Sequence, residues 1–224
     1  MGIHDGHRAR MKKRFLETQT DGFEDYNVLE LMLFFAIPRG DVNPTAHALI
    51  NKFGSLAAVM DASPEELMTV PGVGENAAAM IKLVPEAYKR YLMSKNDNGV
   101  IIHNAHEAGE YIKAFFVGET DEAFCMACLD GKNKVLNCQI LFRGSVNQTP
   151  ITIRNIIKTA LMFNSTSVII AHNHTSGIAV PSSADVEATK AIKEALENVD
   201  ITLADHIVVA DDDFVSFRDS SYIV

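Results

Sequence analysis

The segment that most constrains the fold of this chain is an apolar run that opens into a histidine-rich loop and then a helix. Residues 167–171 are mostly β-branched or small and indicate a buried strand. His172 and His174 follow directly, and Ser182 and Asp185 stand where helical spacing begins. No other stretch of the sequence gathers so many metal-competent groups. We therefore expect the remainder to be a scaffold for this loop, preceded by a separate helical unit.

The spacing of these side chains suits a metal ion. Residues i and i+2 of an extended segment point to the same side, so His172 and His174 can bind one ion. Ser182 or Ser183 is expected to cap the next helix, and Asp185 in its first turn can point back toward the histidines. Two His and one Asp leave a fourth tetrahedral position for water, which is typical of catalytic zinc. Ser182 would stand beside that water, where it can donate to an oxyanion.

Other interpretations of the loop are less specific. A His-x-His pair alone is a weak signal, because surface histidines also pair by chance. The letters His-Asn-His match the name of a nuclease motif, but that motif spreads its members over a ββα unit, so the match is a coincidence. A metal-dependent nuclease would also need basic residues around the loop, and none occur between Lys158 and Lys190.

Charge divides the chain into two unlike halves. The net charge of the 224 residues is −9, with 11 Lys and Arg against 12 Asp and Glu in residues 1–95, and 9 against 17 in residues 96–224. The acidic second half disfavours DNA lying across the metal loop, since DNA binding depends on phosphate neutralisation. The first half opens with a basic cluster, residues 8–14, that a nucleic acid would meet. A solvated basic helix is the alternative explanation.

Three cysteines without framework spacing favour a reducing, cytoplasmic setting. We expect no membrane partner, because no apolar run approaches the roughly 18–20 residues of a membrane helix. Residues 1–14 are polar and basic, so no secretory signal is expected there.

Cys125 and Cys128 match C-x-x-C, but residues three apart in a strand face opposite sides. We therefore predict two ordinary strand cysteines.

The first half contains a glycine-rich turn between helices. Residues 70–74, Val-Pro-Gly-Val-Gly, lead into a helical stretch from Glu75 to about residue 93, which Pro85 should kink or split. This arrangement resembles the helix-hairpin-helix unit of DNA-repair proteins. Gly72 and Gly74 are candidate DNA contacts, because glycine permits close backbone approach and the next helix offers free N–H groups to a phosphate. Glu75 carries the wrong charge for phosphate, which favours a packing role instead.

The second half alternates helical and strand-like spacing, with hairpins, and predicts an α/β (α+β) three-layer domain. We place a helical domain at residues 1–95, a linker at 96–101 and the mixed domain at 102–224. In a late strand, Asp205 and His206 could orient a ligand histidine, as metal-bound imidazoles usually require. A structural hydrogen bond within the strand is the alternative.

The pattern H-x-H-x7-S-x2-D, from His172 to Asp185, resembles the JAMM (MPN+) metallopeptidase motif. Phe142-Arg143-Gly144-Ser145, the late Asp205-His206 strand and the segment from Gly6 to Asp41 extend this likeness, and the chain resembles the bacterial RadC family over nearly its full length. The resemblance implies an N-terminal helix-hairpin-helix domain and a JAB/MPN-like, cytidine-deaminase-like domain. It also implies that His172, His174 and Asp185 hold one Zn2+ and that Ser182 assists catalysis.

JAMM chemistry also needs a glutamate outside the loop as general acid and base. In JAMM enzymes it comes from an early strand, and Glu122 at the entry of the first strand fits that order. A carboxylate that is merely exposed at a strand end is the alternative. RadC proteins often carry Arg-Glu where this chain has Arg154-Asn155. If that glutamate were the catalytic one, Asn155 would leave this protein impaired or inactive.

We therefore expect a zinc-dependent hydrolase of JAMM type that cleaves amide or isopeptide bonds of a peptide or protein with zinc-bound water. The alternative is a DNA-associated repair or recombination module whose metal site is non-catalytic or nuclease-like. In either case DNA is a candidate partner of the N-terminal domain. The oligomeric state stays open, with a homodimer as one arrangement.

Overall fold

We describe the fold from a computed structural model that covers residues 3–95, 99–144 and 149–222. The chain divides into two compact units, Met1–Tyr88 and Lys89–Val224, and the division falls inside a long helix. Part of the linker predicted at 96–101 lies outside the described residues, as does Ser145. Our domain boundaries therefore stay a prediction. No helix in the described ranges is long and apolar enough to cross a membrane.

The first unit is helical and surrounds one apolar core. Its helices are α1 (Ile3–Thr18), α2 (Asp25–Ala36), α3 (Asn43–Phe53), α4 (Leu56–Asp61), α5 (Pro64–Met68) and the first part of α6 (Glu75–Lys95). α3 ends at Gly54, whose φ of +94° suits glycine. α5 begins at a capping box in which Ser63 and Glu66 satisfy each other's backbone N–H groups. Leu29, Leu33 and other fully buried residues form the centre of the core.

The sequence predicted that Pro85 would kink or split α6; the helix is continuous through Pro85, so the split is wrong and the kink stays a prediction. A proline removes one backbone donor from the helical ladder, and the turns on either side still supply theirs. The helix therefore stays continuous, although it contains a residue that usually ends one.

The second unit contains one five-stranded sheet. Its elements are α7 (Ala105–Phe116), β1 (Ala123–Leu129), β2 (Val135–Arg143), α8 (Thr149–Met162), β3 (Ser167–Asn173), α9 (Ser183–Glu197), β4 (Thr202–Ala210) and β5 (Asp213–Ser216). The strand order is β2-β1-β3-β4-β5. β3 and β4 are parallel, and the other three neighbouring pairs are antiparallel. The α9 crossover connects the parallel pair.

Helices cover both faces of this sheet, which confirms the predicted three-layer architecture. α7 packs on the face that carries Cys125 and Ile169, whereas α8 and α9 pack on the face that carries Phe124 and Ile170. Both faces of the central strands are therefore apolar, and β1 is buried along its whole length. The carboxyl end of β3 and the N-terminus of α9 meet at one end of the sheet, where the histidine-rich loop lies.

Candidate metal centre

His172, His174 and Asp185 converge at the carboxyl end of β3. The two Nε2 atoms lie 3.0 Å apart, and Asp185 places Oδ1 3.3 Å from His172 Nε2 and Oδ2 3.4 Å from His174 Nε2. In the described part of the chain these residues form a group that could hold a metal ion, with one ligand atom from each within 4.8 Å of the others. β3 extends through Asn173, so the histidines share a side as i and i+2 residues do in a strand.

The hydrogen bonds around His174 show that this donor set suits a cation. His174 Nδ1 lies 3.1 Å from the carbonyl oxygen of Ile178. A carbonyl oxygen can only accept, so Nδ1 carries a hydrogen, and in the neutral ring Nε2 presents a lone pair to the centre. That lone pair faces His172 and an anionic carboxylate. Such an arrangement of electron-rich atoms matches a divalent cation with N and O ligands.

Asp185 is held by the start of α9. Ser182 is the N-cap of this helix, and a capping box joins its side chain and backbone to Asp185. Burial raises the pKa of Asp185, but hydrogen bonds to His172 and Ser182 outweigh it and hold the pKa below its ordinary value. The carboxylate is therefore ionised and oriented, as a metal ligand must be.

His206 supports the metal centre from the neighbouring strand. Its Nε2 atom lies 2.8 Å from His172 Nδ1, and its Nδ1 atom lies 2.6 Å from the hydroxyl oxygen of Thr189. The ring is fully buried and stacks on Phe217 at 4.4 Å. Burial holds the pKa of His206 well below its ordinary value, and the neighbouring His172 lowers it further. The prediction that His206 orients a ligand histidine agrees with this contact.

Asp205 faces the opposite side of the sheet. Its carboxylate accepts hydrogen bonds from the hydroxyl of Ser216 and from the backbone N–H groups of His206 and Arg218. Burial raises the pKa of Asp205, although these bonds partly offset the effect. Asp205 therefore fixes the β4–β5 region, which matches the structural alternative that the sequence left open.

The hydroxyl of Ser182 is engaged within the capping box. It donates to Asp185 Oδ2 at 2.6 Å, and the backbone N–H of Ser182 donates to the same oxygen at 2.7 Å. The second bond would keep the carboxylate in place when the hydroxyl rotates toward another acceptor. The predicted oxyanion role of Ser182 therefore requires that rotation.

Glu122 lies one residue before β1 and is half-buried. Phe124 pairs with His172 across the β1–β3 ladder, and paired residues share a face of the sheet. Glu122 stands two residues before Phe124, and an extended backbone before β1 would put its side chain on that same face. Asn173 fixes this entry to β1, because its side chain accepts from Ala123 N at 2.6 Å and donates to the Asp121 carbonyl.

Sequence reasoning missed Asn173 and Thr189 as supporting residues. Thr189 stands four residues after Asp185 and donates to its backbone carbonyl at 2.5 Å. The i, i+4 spacing on α9 was a usable signal for a shared helix face. Asn173 stands between the two histidines, and nothing in its spacing indicated a contact 50 residues away.

The cysteines of the C-x-x-C match lie on opposite faces of the sheet, as predicted. Cys125 packs with the α7 side and Cys128 with the α8 and α9 side. Cys125 instead lies 3.5 Å from Cys138, sulfur to sulfur. Burial raises the pKa of Cys138 well above its usual range, and Cys125 raises it further. The Cys138 thiol is therefore a poor nucleophile at neutral pH.

The two glycines of the hairpin turn before α6 have different surroundings. Gly72 has a φ of +90°, and a Cβ there would lie 2.5 Å from the hydroxyl oxygen of Thr45. Gly72 is therefore required by the turn and its packing. Gly74 precedes α6 and has no atom within 4 Å of an added Cβ among the neighbours compared. Its surface is open to a ligand.

Several basic side chains of the helical unit bind backbone carbonyl groups. Arg8 donates to the carbonyl oxygens of Phe34, Ile37 and Gly40. Arg14 donates in the same way to Gly22. These bonds show that part of the basic cluster at residues 8–14 has a structural role.

These features define a class of protein. Its members have a helical unit with a helix-hairpin-helix turn, followed by a mixed α/β domain of the JAB type. A family model described as RadC-like JAB domain matches residues 102–222. A second, described as SAM-like Helix-hairpin-helix tandem, matches residues 44–84. The chain thus belongs to the RadC family, as the resemblance in its motifs implied.

Proposed function

We propose that this protein is a zinc-dependent hydrolase of JAMM type that cleaves amide or isopeptide bonds in a peptide or protein substrate. The observation that carries the proposal is the convergence of His172, His174 and Asp185, with His174 Nε2 directed inward as a lone-pair donor. Membership in a JAB domain family, which is generally hydrolytic, supports the same chemistry.

The three ligands would hold the zinc ion and leave part of its coordination sphere to solvent and substrate. Bound zinc would supply a Lewis acid that lowers the pKa of a water molecule and polarises the scissile carbonyl. The buried end of β3 supports this role, because His172 and Asp185 are almost fully buried while His174 is partly accessible. Substrate would therefore approach from the His174 side.

Glu122 would accept the proton of the attacking water and deliver it to the leaving amine. Its position two residues before Phe124, which pairs with His172, supports this role. Ser182 would turn its hydroxyl from Asp185 toward the carbonyl oxygen, where it would stabilise developing negative charge. The backbone N–H of Ser182 would keep Asp185 oriented meanwhile.

Zinc content and hydrolysis of peptide and isopeptide substrates by the full chain test this proposal. We expect about one equivalent of zinc per chain, lost in His174→Ala together with hydrolysis. His103→Ala, an exposed histidine outside the cluster, serves as the control and should retain both. Full zinc retention in His174→Ala would refute the ligand assignment. Zinc binding without hydrolysis of any substrate would refute the hydrolase assignment.

A second function, DNA association through the helical unit, is favoured by the helix-hairpin-helix match at residues 44–84 and the open surface at Gly74. The proposed contact is made by backbone N–H groups at the start of α6. Fluorescence anisotropy of the full chain with duplex DNA at two salt concentrations tests it. We expect salt-sensitive binding that Gly74→Val weakens and His174→Ala preserves. Absence of salt-sensitive binding would count against this function.

A further inference from the structure

The hydroxyl of Thr189 sets the direction of a hydrogen-bond chain that ends at the metal centre. A threonine hydroxyl has one proton, and Oγ1 of Thr189 lies 2.5 Å from the backbone oxygen of Asp185. A carbonyl oxygen can only accept, so two oxygens at this distance require the Thr189 proton between them. Toward any other neighbour, Thr189 can act only as an acceptor.

That other neighbour is His206, whose Nδ1 atom lies 2.6 Å from Thr189 Oγ1. Since Thr189 has no second proton to offer, Nδ1 of His206 must carry the hydrogen. The ring is fully buried, and its two hydrogen-bond partners are a hydroxyl oxygen and another imidazole, neither of which is an anion. A buried imidazole in these surroundings is neutral. Its Nε2 atom is therefore an acceptor.

The acceptor on His206 decides the tautomer of His172. His206 Nε2 and His172 Nδ1 lie 2.8 Å apart and share one hydrogen, which must belong to His172. His172 therefore carries a hydrogen on Nδ1, so Nε2, which faces Asp185 and His174, is the nitrogen that a metal ion can take. The opposite tautomer would place a hydrogen where a metal ligand needs a lone pair.

We propose that Thr189 and His206 are positioning residues that hold His172 as its Nδ1-protonated tautomer, through bonds directed from His172 to His206 to Thr189 to the Asp185 carbonyl. This hydrogen-bond chain, called the relay below, begins at the metal ligand His172 and ends at the metal ligand Asp185. The backbone carbonyl of Asp185 is the last acceptor, and its carboxylate faces the metal centre. It joins β3, β4 and α9 in one network. This inference rests on the metal-binding part of the proposed function.

Side-chain 15N spectra of the histidines in the metal-free, full-length protein test the direction of the relay. We expect His172 and His206 both to carry a hydrogen on Nδ1, and His206 to carry none on Nε2. His172→Gln and His206→Gln supply the assignments. An Nδ1 of His172 without a hydrogen, or hydrogens on both nitrogens of His206, would overturn the proposal. A purely structural contact would not require either tautomer.

Zinc titration against a chromophoric competitor chelator tests the consequence for metal binding. Thr189→Val keeps the buried shape and removes the acceptor, so we expect zinc affinity to fall by about 10- to 100-fold, with His206 no longer held in one tautomer. Thr189→Ser restores the hydroxyl and should bind as the wild type does. Thr159→Val, a buried threonine of α8, controls for the loss of a hydroxyl elsewhere. Unchanged zinc affinity in Thr189→Val would contradict the positioning role.

The two readouts separate this inference from the proposed function. The tautomers are measured without metal, so they test the relay even if no substrate is hydrolysed. If the wild-type protein fails to bind zinc, the proposed function fails and the affinity arm of this proposal fails with it. If zinc binds and the tautomers are reversed, only the relay is wrong.

Discussion

His172 and His174 direct their Nε2 atoms at one point, 3.0 Å from each other, and Asp185 contacts both. The pair is built by strand geometry, since β3 continues through His172 and Asn173 before the loop begins. A strand that ends there gives the first histidine a rigid base and leaves the second beside the loop.

Glu122→Gln should remove hydrolysis and leave zinc binding intact. The substitution keeps the size of the side chain but removes the carboxylate that would accept a proton, so kcat should fall by about 100-fold or more. Kinetics and zinc content of the same preparation provide the measurement. Asp121→Asn, an exposed neighbour at the same strand entry, is the matched control and should keep its activity. Wild-type kcat in Glu122→Gln would reject the assignment and leave the proton carrier elsewhere in the site.

Ser182→Ala and Ser63→Ala separate capping from catalysis. Both serines are N-caps in capping boxes, so each variant should lose about 1 kcal/mol in the free energy of unfolding. Only Ser182→Ala should also lower kcat, by about 100-fold, because only that hydroxyl lies beside the proposed site. Chemical denaturation and kinetics distinguish the two effects. Equal activity in the two variants would assign Ser182 to capping alone.

Gly72→Ala should destabilise the protein, whereas Gly74→Ala should not. The positive φ of Gly72 and the short distance from its added Cβ to Thr45 predict a loss of about 1–3 kcal/mol in the free energy of unfolding. The position of Gly74 has room for a methyl group. Urea denaturation of both variants measures the difference. Similar midpoints would show that the turn adapts to a side chain at residue 72.

Glu119 should stabilise the second unit in a pH-dependent way. Its carboxylate contacts Lys89 at 2.7 Å and Arg143 at 2.7 Å, while most of its surface is buried. Burial raises the pKa of Glu119, but the hydrogen bonds from Arg143 and Lys89 outweigh it, so the pKa lies below its ordinary value. A lowered folded-state pKa means that this stabilisation is present above the unfolded-state pKa of about 4.3 and is lost as the pH falls through the folded-state pKa.

Glu119→Gln should therefore be less stable than the wild type at pH 7, by about 1.5–3 kcal/mol, because charged hydrogen bonds are lost. The difference between the two proteins should shrink as the pH falls below about 4. Denaturation across this pH range measures it. Glu110→Gln, which removes an exposed partner of Lys113, is the control and should have little effect. A difference that stays constant with pH would mean that the charge of Glu119 does not stabilise the fold.

Much of the metal centre could be predicted from sequence because its parts are close along the chain. The strand, the i and i+2 histidines and the capped helix are local features, and local patterns fix which way such side chains point. The same holds for the turn at Gly72, whose conformation only glycine adopts easily. The helical first unit and the three-layer second unit followed from spacing in the same way.

The support of His172 depends on contacts that no local pattern specifies. His206 lies 34 residues from His172 and reaches it because β3 and β4 are parallel neighbours. The register of the β3–β4 ladder shifts between Val168 and Ile169, next to Asp205. His206 therefore faces the metal centre, whereas Asp205 faces the other side of the sheet and contacts Ser216. Sequence alone therefore determined which groups could hold a metal. Strand order and register decided which residues hold those groups in place, because these contacts exist only once distant segments pair.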